Sequence, residues 1–133
     1  MIVVDSTVLV DLLRGKATAK ADALRRMERD SIPFAVPAIC CQELLQGSAD
    51  EREWRLLHRC LETQEILAPA DRWSTHASAA RIFFDCRRRG ITIRSTIDCL
   101  VAQMVLEGDH VLLHDDEDYE RIKLVRPLRT YPA

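Results

Sequence analysis

Apolar and polar positions along this chain fall into short blocks whose spacing alternates between strand-like and helix-like. Residues 1–4 (MIVV) form an unbroken apolar run, the pattern of a strand buried on both faces in a parallel sheet. Asp5-Ser6-Thr7 then supplies N-cap chemistry for a helix to about Arg14, stopped by Gly15. A second helix is predicted over residues 17–29. Phe34-Ala35-Val36 reads as a strand, and Pro37 suits the first turn of a helix that ends near Gln46, before Gly47. The charged stretch 50–63 looks helical, residues 65–68 suit a short strand, and residues 71–89 suit a long helix closed by Gly90. A further helix runs from near Thr96 to just before Gly108. Residues 110–114 (HVLLH) repeat the buried-strand pattern, followed by a short helix over 116–122 and a last strand at Leu124-Val125. Strands alternating with helices predict an α/β fold around a mainly parallel sheet, with helices carrying most of the length. No repeat, linker or low-complexity stretch interrupts it, so residues 1–133 are expected to form a single domain.

Composition narrows the class. With 47% hydrophobic and 30% charged residues the chain can build a core under a polar surface, and 4 Gly with 5 Pro exclude a disordered or fibrous chain. Its apolar runs fall far short of the roughly 18 residues a membrane span needs. Asp5 interrupts the first of them, so no export leader is read; a cytoplasmic protein without membrane association is expected. The 19 Lys and Arg against 21 Asp and Glu give a net charge of −2. That balance excludes gripping nucleic acid through overall positive charge, but not through a local basic face. Only Lys16, Lys20 and Lys123 are lysines, so arginine, the better bidentate phosphate ligand, supplies most of the positive charge; a GC-rich genome produces the same bias. The 5 Cys form no C-x-x-C or zinc spacing and are expected to be reduced and buried.

The candidate chemistry lies in the placement of acids. Asp5 sits at the carboxyl end of the first strand pattern, where open parallel sheets form their ligand crevice; a simple helix cap also explains it. Glu43 shares a helix stripe with Ile39, Cys40 and Gly47, so it faces inward and needs a cation, either an arginine or a metal. Asp98 falls in a helix's first turn, where the macrodipole favours an acid, yet it shares a face with Val101, Ala102 and Val105. Asp115-Asp116-Glu117-Asp118 follow the HVLLH strand directly, in the same relation as Asp5 to its own strand; a solvated turn is the alternative. A carboxylate pocket without Cys or His ligands suits Mg²⁺ or Mn²⁺, which polarise phosphoryl oxygens and activate water. The residues thus point to a metal-dependent phosphotransferase or phosphohydrolase.

The segments IVVDSTVLVDLL, VPAICCQELLQG, RSTIDCLVA and LLHDDEDYERI together resemble the four acidic motifs of PIN-domain ribonucleases. More narrowly, they resemble the VapC toxins of bacterial toxin–antitoxin pairs, over essentially the whole chain. The resemblance implies a three-layer α/β/α sandwich around a mainly parallel, about five-stranded sheet. It implies a Mg²⁺- or Mn²⁺-dependent endoribonuclease that cuts cellular RNA, tRNA or rRNA, leaving a 5′-phosphate and a 3′-hydroxyl. It further implies a homodimer and a VapB-type antitoxin that covers the site. Carried over, Asp5, Glu43 and Asp98 are the core acids and Asp116 the fourth, with Asp118 nearby. Asp5 and Asp98 are the foremost metal ligands, with Glu43, Asp116 and Asp118 completing the set. Ser6 falls where a Ser or Thr helps hold the site and, with Arg94, is assigned to substrate binding. Asp115 competes with Asp116 for the fourth place; the D-x-D-aromatic spacing of Asp116, Asp118 and Tyr119 favours Asp116.

Other features add less. Arg87-Arg88-Arg89 could offset the acids for a phosphate backbone or simply cap a helix end. The four His show no ligand spacing, and Trp54 and Trp73, which could stack bases, read rather as core or interface residues. A haloacid-dehalogenase-like phosphatase needs a second acid where Thr7 stands. A Mg²⁺-binding receiver-like signalling domain needs a strand before Asp98. A catalytically silent PIN-like interaction module is the remaining alternative, and filled acid positions speak against it.

Overall fold

The structure, a computed structural model, describes residues 1–132. The apolar run after Met1 forms β1 (Ile2–Val4), whose Val3 and Val4 are fully buried. It is followed by α1 (Ser6–Leu13), α2 (Ala19–Arg29) and β2 (Phe34–Pro37). Next come α3 (Ala38–Gln46), α4 (Glu51–Leu61), β3 (Glu65–Leu67) and α5 (Ser74–Arg88). The chain closes with α6 (Thr96–Glu107), β4 (Val111–Leu113) and α7 (Glu117–Ile122). Four parallel strands pair in the order β3-β2-β1-β4, with helices flanking the sheet, as the α/β expectation required.

That order positions the site. The chain steps outward from β1 to β2 to β3, then crosses back to lay β4 against the other side of β1, in register Val3 with Leu112. The reversal creates a switch point between β1 and β4, and the crevice opens beyond their carboxyl ends. Asp5 and the acidic run after β4 both leave the sheet there, and the Asp5 amide donates to the Leu113 carbonyl at 3.0 Å. Beneath them, Val36, Leu112 and Leu113 pack with Leu24, Met27, Ile82 and Met104 from the helices in one apolar cluster.

Several expectations need correction. Leu124-Val125 is not a strand: the Val125 amide donates to Ile122 at 3.0 Å and the Lys123 amide to Tyr119 at 3.1 Å, so these amides continue the α7 turn. The pairing falls later, as a parallel bridge of Thr130 to Leu112; among the described residues the sheet has four strands, in keeping with the about five that the resemblance implied. α2 starts at Ala19 because the Thr18 hydroxyl caps the Ala21 amide. α5 starts at Ser74 because the Asp71 carboxylate accepts from the Trp73 and Ser74 amides. Cys60 is exposed and Cys41 half-buried, whereas Cys40, Cys86 and Cys99 are buried. Trp54 and Trp73 are exposed, not core. Among the described residues no helix is long and apolar enough to cross a membrane.

The long helix α5 ends as predicted. Gly90 adopts φ +75°, and the Ile91 amide reaches back to the Cys86 carbonyl at 2.8 Å, the αL termination that favours glycine. A Cβ at Gly90 would meet nothing within 4 Å, so only the backbone conformation resists substitution. Gly90→Ala should therefore lower stability by about 1–2 kcal/mol in urea denaturation; an unchanged midpoint would show that the turn relaxes freely.

Candidate metal centre

Asp5 fills two roles at once. As N-cap of α1, its Oδ2 accepts the Thr7 amide at 3.1 Å and the Thr7 hydroxyl at 2.6 Å. Its Oδ1 accepts the Tyr119 hydroxyl at 2.7 Å, with the Cys40 thiol at 3.6 Å. The carboxylate is only 2% exposed, so these donors stand in for water. The thiol is the weakest of them, and the lone pair it faces is the one most readily ceded to a cation.

Glu43 projects from α3, half-buried, and its Oε1 accepts the Ser6 hydroxyl at 3.2 Å. Among the described residues it forms no ion pair, so the arginine alternative is not realised. Burial first, then the charges of Asp5 and Asp116, push its carboxyl above the ordinary range against the Ser6 bond.

Asp98 lies in the first turn of α6, 7% exposed, and its Oδ2 is buried without any hydrogen-bond partner. Burial, the bond it shares with Asp118, and the charges of Asp116 and Asp5 push its pKa up to about 8. Asp116 caps α7 through Oδ1 to the Asp118 amide at 2.9 Å. Asp118 is nearly inaccessible; its Oδ2 accepts the Arg94 and Ser95 amides, each at 3.0 Å, and its Oδ1 accepts from Arg121 at 3.1 Å. Burial alone would raise its pKa, but bonds from Asp98 and the two amides outweigh it and hold it low. The Arg94 guanidinium stands 3.7 Å from Asp116 and 3.8 Å from Asp118.

The carboxylates of Asp98, Asp116 and Asp118 can each present an oxygen within 4.8 Å of the others. Asp5 and Glu43 flank this trio, close enough for Asp5 to raise both Glu43 and Asp98. Asp115 is exposed, its amide donating to the Thr7 hydroxyl. The four sequence segments thus converge on one crevice.

The PIN-domain family model matches residues 2–124. The chain belongs to the PIN-domain family. The VapC ribonuclease Mb1587 of Mycobacterium bovis and ribonuclease VapC11 of Mycobacterium tuberculosis are each 28% identical to it over 130 residues, covering 97% of this chain and 96% of either relative. VapBC2 from Rickettsia felis, solved bound to a DNA fragment from its promoter, shares the fold with TM-score 0.74 at 18% identity over 98% of both chains. DNA-bound VapBC from Salmonella typhimurium shares it with TM-score 0.75 at 15% identity, over 98% of this chain and 96% of that one.

Within this PIN domain, sequence reasoning passed over three groups. Thr7, rather than Ser6, grips Asp5, while Ser6 serves Glu43. Tyr119 entered only as an aromatic marker beside Asp118, yet its hydroxyl reaches Asp5 across the sheet. His114, assigned no chemistry, is buried; its Nδ1 accepts the Asp116 amide at 3.1 Å, which leaves Nε2 to donate to Glu120 at 2.9 Å. Burial holds its pKa down despite Glu120. The neutral ring thereby fixes the backbone of the acid that follows it. Thr7 and His114 lie within two residues of a site acid, and that proximity is the signal that could have found them.

Proposed function

We propose that this PIN domain is a metal-dependent endoribonuclease toxin, restrained by a VapB-type antitoxin. The observation that carries the reading is the unpartnered, buried Oδ2 of Asp98 beside the carboxylates of Asp116 and Asp118. An oxygen-only donor set holding an orphaned buried acid fits Mg²⁺ or Mn²⁺. The names of the mycobacterial relatives and of the VapBC neighbours support the ribonuclease and antitoxin parts of the proposal.

In this reading Asp98, Asp116, Asp118 and the ceded Asp5 lone pair would hold the ion, which would supply charge stabilisation at the phosphate and make a nearby water more acidic. Glu43, held by Ser6 and raised in pKa, orients the attacking water and accepts its proton. Arg94, beside Asp116 and Asp118, faces the phosphate from among the acids. The expected products are a 5′-phosphate and a 3′-hydroxyl, from tRNA or rRNA. Residues 1–133 act as one domain, paired as a homodimer in the cytoplasm.

The test is cleavage of total cellular RNA by the purified protein, freed of any partner, in Mg²⁺ or Mn²⁺ with an EDTA control. Discrete fragments that vanish in EDTA are expected. Intact RNA at a metal concentration shown by calorimetry to saturate the site would overturn the enzymatic reading.

A further inference from the structure

Two clefts outside the carboxylate cluster share one chemical character. The first, about 500 Å³, is lined by Ile91, Arg94, Arg121 and Leu124 among others. The second, about 380 Å³, is lined by Arg88, Arg89 and Arg126 with Asp85 and Val125. They adjoin where Arg89 donates to the Leu124 carbonyl at 2.7 Å. Arg94 and Arg121 tie the first cleft to the site, since both reach Asp118. At the outer end, Arg81 and Arg88 flank the partly exposed Phe84 ring, at 4.9 and 5.6 Å from its centroid.

The helix dipole accounts for arginines at the end of α5. It also accounts for Arg121, in the last turn of α7. It does not account for Arg94, which precedes α6, or Arg126, which follows α7, and these line the same two adjoining clefts. Nor does overall charge, which is −2. Among the described residues, Arg88 and Arg89 have no acidic partner, so their charge is available to a ligand. The acids that do pair here, Asp85 with Arg126 and Asp118 with Arg121, hold those guanidinium groups in place.

We propose that this arginine track carries the RNA strand leading away from the scissile phosphate. Arg94 and Arg121 take the phosphate next to the carboxylates, Arg88, Arg89 and Arg126 take phosphates further along, and Phe84 offers a face for a base. The proposal rests on the ribonuclease reading above and adds the direction in which the substrate runs.

The test uses the full chain carrying Asp98→Asn, which removes cleavage, and labelled bulk tRNA in EDTA. Affinity is measured from 50 to 200 mM salt. Each of Arg88→Ala, Arg121→Ala and Arg126→Ala should weaken binding and flatten the slope of log affinity against log salt by about 0.7–0.9, one phosphate contact each. Arg25→Ala and Arg55→Ala, on α2 and α4, should leave the slope unchanged. Arg126 is paired with Asp85, so its variant is checked by thermal melting; Arg88 has no such partner and decides the question if Arg126→Ala unfolds. Unchanged slopes in a protein whose unmutated form cuts RNA would overturn the track alone. Neither cleavage nor tRNA binding by the unmutated chain would overturn the ribonuclease reading with it.

Discussion

Asp98→Asn is expected to act in opposite directions on activity and on the stability of the metal-free protein. Cleavage should fall by more than about 100-fold, since groups that merely orient a metal ligand are already worth about 10–100-fold. Stability should rise. In the folded protein the Asp98 pKa is pushed up to about 8 from the ordinary 3.8, so the native state binds this proton more tightly than the unfolded chain. The contribution of Asp98 to stability is therefore fully present below about pH 4, declines as pH climbs toward 8, and is constant above. Asparagine carries no charge and escapes that decline. Its advantage in EDTA should be small at pH 4 and largest at pH 8. Mn²⁺ should reverse the order, because the wild type gains from the ion and the variant does not. Thermal melts over this pH range, with and without Mn²⁺, read all of it. A variant that melts below wild type in EDTA at pH 8 would show that Asp98 is not held against its own charge.

Tyr119→Phe should damage the site while leaving the core intact. The ring is fully buried and phenylalanine keeps its shape, so the fold should survive. What is lost is the 2.7 Å bond from the hydroxyl to Asp5. A hydrogen bond to a buried charge is worth about 1.5–3 kcal/mol, and the loss should appear in urea denaturation. Burial and the neighbouring Asp5 charge raise the phenol's pKa well above its usual value, so it remains a donor at any working pH. Thr7 still holds the other oxygen of Asp5, leaving the carboxylate to swing rather than to leave. Mn²⁺ affinity by calorimetry and cleavage rate should each drop by about 10–100-fold. Wild-type stability together with wild-type Mn²⁺ affinity would mean that the hydroxyl does not position Asp5.

Short-range signals made much of this molecule legible before any coordinates. The MIVV run, the Asp5 cap, Pro37, Gly47, Gly90 and the buried-strand pattern ending at His114 act through propensities and hydrogen bonds that span a few residues, and the elements they predict are present. The acids stood out because an acid on an apolar stripe or at a strand end conflicts with its surroundings. Where the local signal was weak, as at Leu124-Val125, the reading failed: the residues suit a strand, but the turn of α7 had already engaged their amides.

Tertiary structure decided what those acids do. The crossing from β3 back to β4 placed the acidic run beside Asp5, where Asp98, Asp116 and Asp118 can each present an oxygen within 4.8 Å of the others. The Tyr119 bond to Asp5 joins residues 114 apart, and Glu43 meets Ser6 across 37. The arginine track is likewise assembled from distant segments. Local sequence sets which residue types are present and which way a helix or strand presents them. Convergence depends on the crossover connections and on packing, and no window of neighbouring residues encodes these.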